Sequence, residues 1–184
     1  MNILWYWITY YDIGSHCHVL SHSEMSWDMF TVECGALIVR AERHLSRGGS
    51  QGTWPCVFLL VEIIIHPLWF ITVHCRDPTV RRCAIALLLK HHHNEFGVDS
   101  WIAGHVGQEL VHLEEGTRIV RSASDIHECD RILLRGSRYE DAQLYLLYLY
   151  TTKVDEPEAV SLRRHPFSIP RDPYGVVSGV YESG

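Results

Sequence analysis

The 184 residues amount to one ordinary domain. With 47% hydrophobic and 21% charged residues, the chain can bury a core without disulfides or metals, which argues against wholesale disorder. A formal net charge of -6 excludes a globally basic surface, so nucleic-acid binding would need a local basic patch.

Residues 1–23 form an aromatic N-terminal segment with Trp5, Tyr6, Trp7, Tyr10 and Tyr11. No basic stretch or small-residue cleavage site marks it as a secretory leader. It reads as a helix packed into the core or as an adhesive surface. The six cysteines, Cys17, Cys34, Cys56, Cys75, Cys83 and Cys129, contain no Cys-x-x-Cys pair. That pattern predicts thiols in a reducing compartment.

From residue 24 the spacing becomes helical. Trp27, Phe30, Cys34, Leu37, Ile38, Ala41 and Leu45 share one face, with Ser23 placed to cap the start and Gly48-Gly49 to end the helix. Residues 57–74 are strongly apolar but carry Glu62, His66 and Pro67. They predict a buried helix broken or bent at Pro67 and not a membrane span. Asp77-Pro78 is a helix start, a capping carboxylate ahead of a proline at the first helical position. The apolar stripe of that helix is Val80, Cys83, Ala84, Leu87 and Leu88, of which Cys83, Ala84, Leu87 and Leu88 are expected to face 57–74. Asp99 or Ser100 starts another helix, with Ile102, Val106, Leu110 and Leu113 as its stripe and Gly116 at its end.

After Asp130 the pattern changes. Arg131–Arg138 and Ala142–Thr152, separated by Glu140-Asp141, read as a β-hairpin. The segment from 153 onward carries Pro157, Pro166, Pro170 and Pro173 and reads as an extended or disordered tail. The expected fold is mainly α. It is a helical domain over 24–152 with a small C-terminal hairpin, flanked by the segment 1–23 and the tail 153–184.

The run Pro67-Leu68-Trp69-Phe70, Cys75-Arg76-Asp77-Pro78, Arg81-Arg82, Ala84-Ile85-Ala86-Leu87-Leu88 resembles, in order and spacing, a block in the helical regulatory region of fungal binuclear zinc-cluster transcription factors. Glu24 to Asp28 and Glu109 to Gly116 are similar to flanking elements of that region. The segment Asn94-Glu95-Phe96-Gly97-Val98-Asp99 departs from the family's tryptophan-containing loop, and Trp101 is displaced. The six closely spaced cysteines of the family's DNA-binding module are also missing. The resemblance therefore implies the regulatory half alone: a protein-interaction module in the nucleus, or otherwise in the cytoplasm. Its partners would be transcription machinery or a second copy. It would bind no specific nucleic acid by itself, insert in no membrane and need no cofactor. The chain would then be a fragment, a truncated gene product or a paralogue without DNA binding.

Arg76, Arg81, Arg82 and Lys90, extended by His91-His92-His93, are the candidate site residues together with Asp77. They offer a phosphate or partner contact, or else a solvated face or structural pairing with Glu62, Glu109, Glu114 or Glu115. Arg81 and Arg82 sit in the first turn of a helix, where the dipole disfavours cations, so carboxylates should compensate. His16, Cys17, His18 and His22, the pair His127 and Cys129, and the pair His74 and Cys75 are too loosely arranged for structural zinc. No nucleophile elbow, dinucleotide loop, phosphate loop or His-Glu-x-x-His is present, so no enzyme is expected. The alternatives are an orphan helical scaffold without a transcriptional role and an enzyme whose site these motifs do not capture.

Overall fold

The computed structural model describes residues 8–13, 15, 24–47, 58–59, 64–95, 97–141, 143–153, 157 and 161–170. Ser23, Gly48-Gly49, Glu62 and the cluster His16, Cys17, His18 and His22 lie outside them. Residues 8–13 are helical. A 3₁₀ turn at Glu24–Phe30 leads into α1 (Thr31–Arg47), whose buried face is Cys34, Leu37, Ile38 and Ala41. The helical spacing read from the sequence is therefore right for the second half of that stretch, while its first turns are wound more tightly.

The long apolar stretch is not one broken helix. Phe58–Leu59 is a short strand, β1, and α2 begins only at Ile65 and runs to His74. Pro67 falls in the first turn of α2, where backbone N–H groups have no intrahelical partner, so the ring interrupts no ladder. Pro78–Lys90 forms α3. Asp77 caps it as expected, its Oδ1 accepting from the N–H groups of Thr79 and Val80 at 3.0 Å each. Ala84, Leu87 and Leu88 are buried, but Cys83 is exposed, so the apolar stripe is narrower than its spacing implies.

Asn94–Glu95 (β2) and Val98–Asp99 (β3) join β1 in a small three-stranded sheet. Asp99 then caps α4 (Ser100–Glu115), and Gly116 ends it with φ +57°. Helix α4 packs closely on α2 and α3 through two glycines. A Cβ on Gly107 would lie 2.3 Å from Thr72 Cγ2, and one on Gly104 would lie 2.6 Å from Leu89 Cδ2.

The hairpin is present as β4 (Ile132–Glu140) and β5 (Gln143–Tyr150), paired antiparallel with Glu140 opposite Gln143. A third strand, β6 (Arg163–Phe167), pairs antiparallel with β5 and comes from the stretch read as tail. Its sequence, Arg-Arg-His-Pro-Phe, has no apolar alternation. Its proline is tolerated because β6 is the edge of the sheet. With two three-stranded sheets beside its helices, the fold is mixed α+β, which corrects the expectation of a mainly α domain with one hairpin.

Two apolar clusters result. One is shared by α1, α2 and α3, around Leu37, Ala41, Leu68, Ile71 and Leu88. The other lies between α4 and the second sheet, around Val106, Leu110, Leu146 and Phe167. Trp69 touches both. Among the described residues no helix is long and apolar enough to cross a membrane.

Candidate functional site: a buried arginine–carboxylate network

Arg76 lies between α2 and α3, where Cys75 ends one helix in an extended conformation and Asp77 caps the next. That turn sends its side chain inward, and only 1% of the residue remains exposed. Its Nη1 donates to Glu24 Oε2 at 2.9 Å and to the His74 carbonyl at 2.7 Å. Its Nη2 donates to Glu114 Oε1 at 2.8 Å and to the Ile132 carbonyl at 3.0 Å. One guanidinium thus ties the 3₁₀ turn, the end of α2, the end of α4 and the start of β4.

Arg81, equally buried, donates through Nε to the Thr72 carbonyl at 2.8 Å and through Nη1 to Glu114 Oε2. Glu114 therefore receives one arginine on each oxygen, and its Oε1 also accepts the Ile132 N–H at 2.8 Å. Burial pushes the Glu114 carboxyl up, but the charges of Arg81 and Arg76 and the Ile132 N–H hold it below the ordinary carboxylate range. Burial pulls Arg81 down, against the attraction of Glu114 and together with the repulsion of Arg76. It remains a cation, because a guanidinium does not deprotonate in proteins.

Arg131 is the member that sequence reasoning missed. It is fully buried, and its Nη1 and Nη2 grip Asp28 Oδ1 and Oδ2 at 2.9 and 2.6 Å. The same fork reaches the carbonyls of Glu24, Ile126 and Ala123 at 3.1 to 3.2 Å. Its position just before an aliphatic strand carries no signal for a buried charge.

Arg82 behaves differently. Its side chain is 50% exposed and pairs with Glu115 at 2.5 Å. Lys90 is exposed at the end of α3. The expected carboxylate compensation for Arg81 and Arg82 is thus supplied by Glu114 and Glu115. Phosphate contact through Arg76 or Arg81 does not fit, because both guanidinium groups are enclosed and bound to carboxylates.

A second polar centre lies beside β2. Glu95 is buried, and its Oε2 accepts the N–H groups of Ile64 and Ile65 at 2.8 Å each. It thereby caps α2, a role that no neighbouring side chain of that helix performs. Its Oε1 faces His93 Nε2 at 3.0 Å, while His93 Nδ1 lies 2.6 Å from the His91 carbonyl. His92 Nε2 lies 3.1 Å from Asp99 Oδ2. The histidine run thus belongs to the joint between α3, β2 and α4. Among the described residues, no three His, Cys, Asp or Glu side chains converge in a geometry that would hold a metal ion.

No family model matches the chain, and no curated protein or solved structure does either.

Proposed function

We propose that this chain is a non-enzymatic regulatory and protein-interaction module, related to the helical half of fungal zinc-cluster transcription factors and acting in the nucleus. The observation that carries the reading is the inward use of the resembling block. The residues that give the block its pattern, Cys75, Arg76, Asp77, Pro78 and Arg81, are spent on capping α3 and on joining α2, α4 and β4. A pattern that specifies a scaffold in this way is compatible with a family whose members share a frame and vary their partners.

The outward face supports the same reading. Met29 and Val32 are 63% and 80% exposed, and Met25 and Val39 are also exposed, at spacings of four, three and seven residues along the 3₁₀ turn and α1. Exposed methionine and valine in such a row suit protein contact. By itself the chain would bind no specific DNA, since its charge is -6 and it lacks the family's DNA-binding module.

The test is a fusion to a heterologous DNA-binding domain, read on a reporter gene. Reporter output should change several-fold, and Met29→Asp with Val32→Asp should cancel the change while the circular dichroism spectrum is kept. A folded, nuclear fusion with unchanged output would overturn the reading in favour of a scaffold without a transcriptional role.

A further inference from the structure

The outer face of α1 has a pattern of its own. Met29, Val32, Ala36, Val39 and Arg43 follow one another at alternating steps of three and four residues. At about 3.6 residues per turn, that row lies opposite the buried Cys34, Leu37, Ile38 and Ala41. Met29, Val32 and Val39 are exposed, and so is Arg43. Such alternating steps are the spacing by which one helix packs along another. The core face of α1 already holds the helix in place, so a partner meets a folded surface and bears no cost of winding it.

The flanks of the row select the partner. Glu33 and Arg40 lie seven residues apart on one flank, about two helical turns. A second α1 running antiparallel, related by a two-fold axis at Ala36, sets Glu33 of each copy level with Arg40 of the other. The same operation sets Val32 beside Val39 and Ala36 beside Ala36 of the second copy, and lays Met29 along the aliphatic stem of Arg43. On the other flank a Cβ on Gly35 would meet nothing within 4 Å, so the two backbones have room to approach. Asp28 and Glu42 meet on that flank, but Asp28 is already held by Arg131. A parallel pair would instead set Asp28 against Glu33 and leave Arg40 facing Gly35.

We propose that this face is the contact between two copies of the chain, packed antiparallel through α1. The inference rests on the reading of that face as a protein-contact surface, and it names the partner. A two-fold contact uses the same patch twice, so the apolar row and the Glu33–Arg40 pair complement themselves in both halves. The interface is one helix wide and short, so the two copies associate reversibly, in the micromolar range of a small contact.

Sedimentation of the purified full chain across the micromolar range is the experiment, and a reversible monomer–dimer equilibrium is the expected result. Val32→Asp should weaken the dimer by about tenfold or more while the circular dichroism spectrum is kept, because Val32 is 80% exposed. Glu33→Arg and Arg40→Glu should each weaken it several-fold. The double variant should restore it, since opposite charges again face each other across the axis. A chain that stays monomeric throughout overturns the proposal. So does a dimer that Val32→Asp leaves unchanged, or a double variant no tighter than either single one. Where Arg40→Glu fails to fold, the wild-type chain and Val32→Asp decide alone. The reporter fusion is read separately. A dimer with unchanged reporter output removes the transcriptional reading and keeps this contact, whereas monomers with a changed output do the reverse.

Discussion

Glu114 Oε1 lies 2.8 Å from Arg76 Nη2, and neither side chain is exposed to solvent. The Arg82–Glu115 pair, one residue along α3 from Arg81 and one along α4 from Glu114, is half exposed at the arginine. This contrast sets the relative weight of two neighbouring ion pairs. Glu114→Gln keeps the side-chain volume but leaves Arg76 and Arg81 buried with less negative charge. It should cost about 3–5 kcal/mol of unfolding free energy. Glu115→Gln removes a solvent-screened pair and should cost about 0–1 kcal/mol. Urea unfolding of the two variants measures the difference, and equal losses would mean that Arg81 is not enclosed as described. The Glu114 carboxyl is held below its ordinary range, so its stabilising contribution is present above about pH 4.5. That contribution is lost as pH falls through the lower, folded value.

The helix from Pro78 to Lys90 ties the two ends of this network together. Leu87 is buried in the cluster shared by α1, α2 and α3, and Leu87→Ala should cost about 2–5 kcal/mol. Asp77 accepts two main-chain N–H groups, and Asp77→Ala should cost about 0.5–2 kcal/mol through the lost cap. Denaturant midpoints with an unchanged slope would assign both losses to the native state. A neutral Leu87→Ala would contradict the core assignment.

Close approach between α4 and α2 makes a different demand. Alanine at position 107 is a better helix former than glycine by about 1 kcal/mol. Its Cβ, however, would meet Thr72 Cγ2 at 2.3 Å and Ile85 Cγ1 at 3.1 Å. Both neighbours are buried and have little room to yield. Gly107→Ala should therefore be destabilising by about 1–3 kcal/mol despite the propensity gain. A stabilised variant in thermal unfolding would show that the helices can separate at little cost.

Local chemistry was legible in the sequence, and distant pairing was not. The Asp77 cap, the Asp99 cap and the Gly116 stop each depend on residues within a few positions, and all three are present. The place of Arg81 and Arg82 in a first helical turn is unfavourable for cations, so position alone implies carboxylate partners, and Glu114 and Glu115 supply them. Arg131 pairs with Asp28 across 103 positions, Arg76 with Glu24 across 52, and Glu95 caps Ile65 across 30. No periodicity marks such partners, because the demand for a charge arises only once the elements have packed. The strand β6 was hidden for a related reason. Its pairing energy comes from main-chain bonds to β5, while four of its five side chains, Arg163, Arg164, His165 and Pro166, look like those of a tail.

His93 supplies the pH dependence on the alkaline side. Both of its ring nitrogens face acceptors, Nε2 toward Glu95 Oε1 and Nδ1 toward the His91 carbonyl, so only the protonated imidazolium can donate to both. Burial pulls its pKa down. The Glu95 hydrogen bond, the His91 carbonyl and the charges of Glu95 and Asp99 outweigh that and raise it above 6.5. The other titratable neighbour, His91, is pushed below its ordinary value by burial, by Lys90 and by His93 itself, so it adds little competing charge near neutrality. A raised folded pKa means that the contribution is complete below about pH 6.5 and is lost as pH rises through the folded value. Stability should therefore decline as pH rises above about 6.5. The decline should begin at the Glu95 cap of α2, since the neutral ring keeps a single N–H to share between Glu95 and the His91 carbonyl, and Glu95 loses the imidazolium charge. Urea unfolding between pH 5 and 9 measures the slope, and His93→Gln should flatten it, because glutamine does not titrate there. Hydrogen exchange at the Ile64 and Ile65 amides provides the local readout. Protection at those two amides that stays constant across the range, in the wild-type chain, would separate His93 from the cap and defeat the prediction.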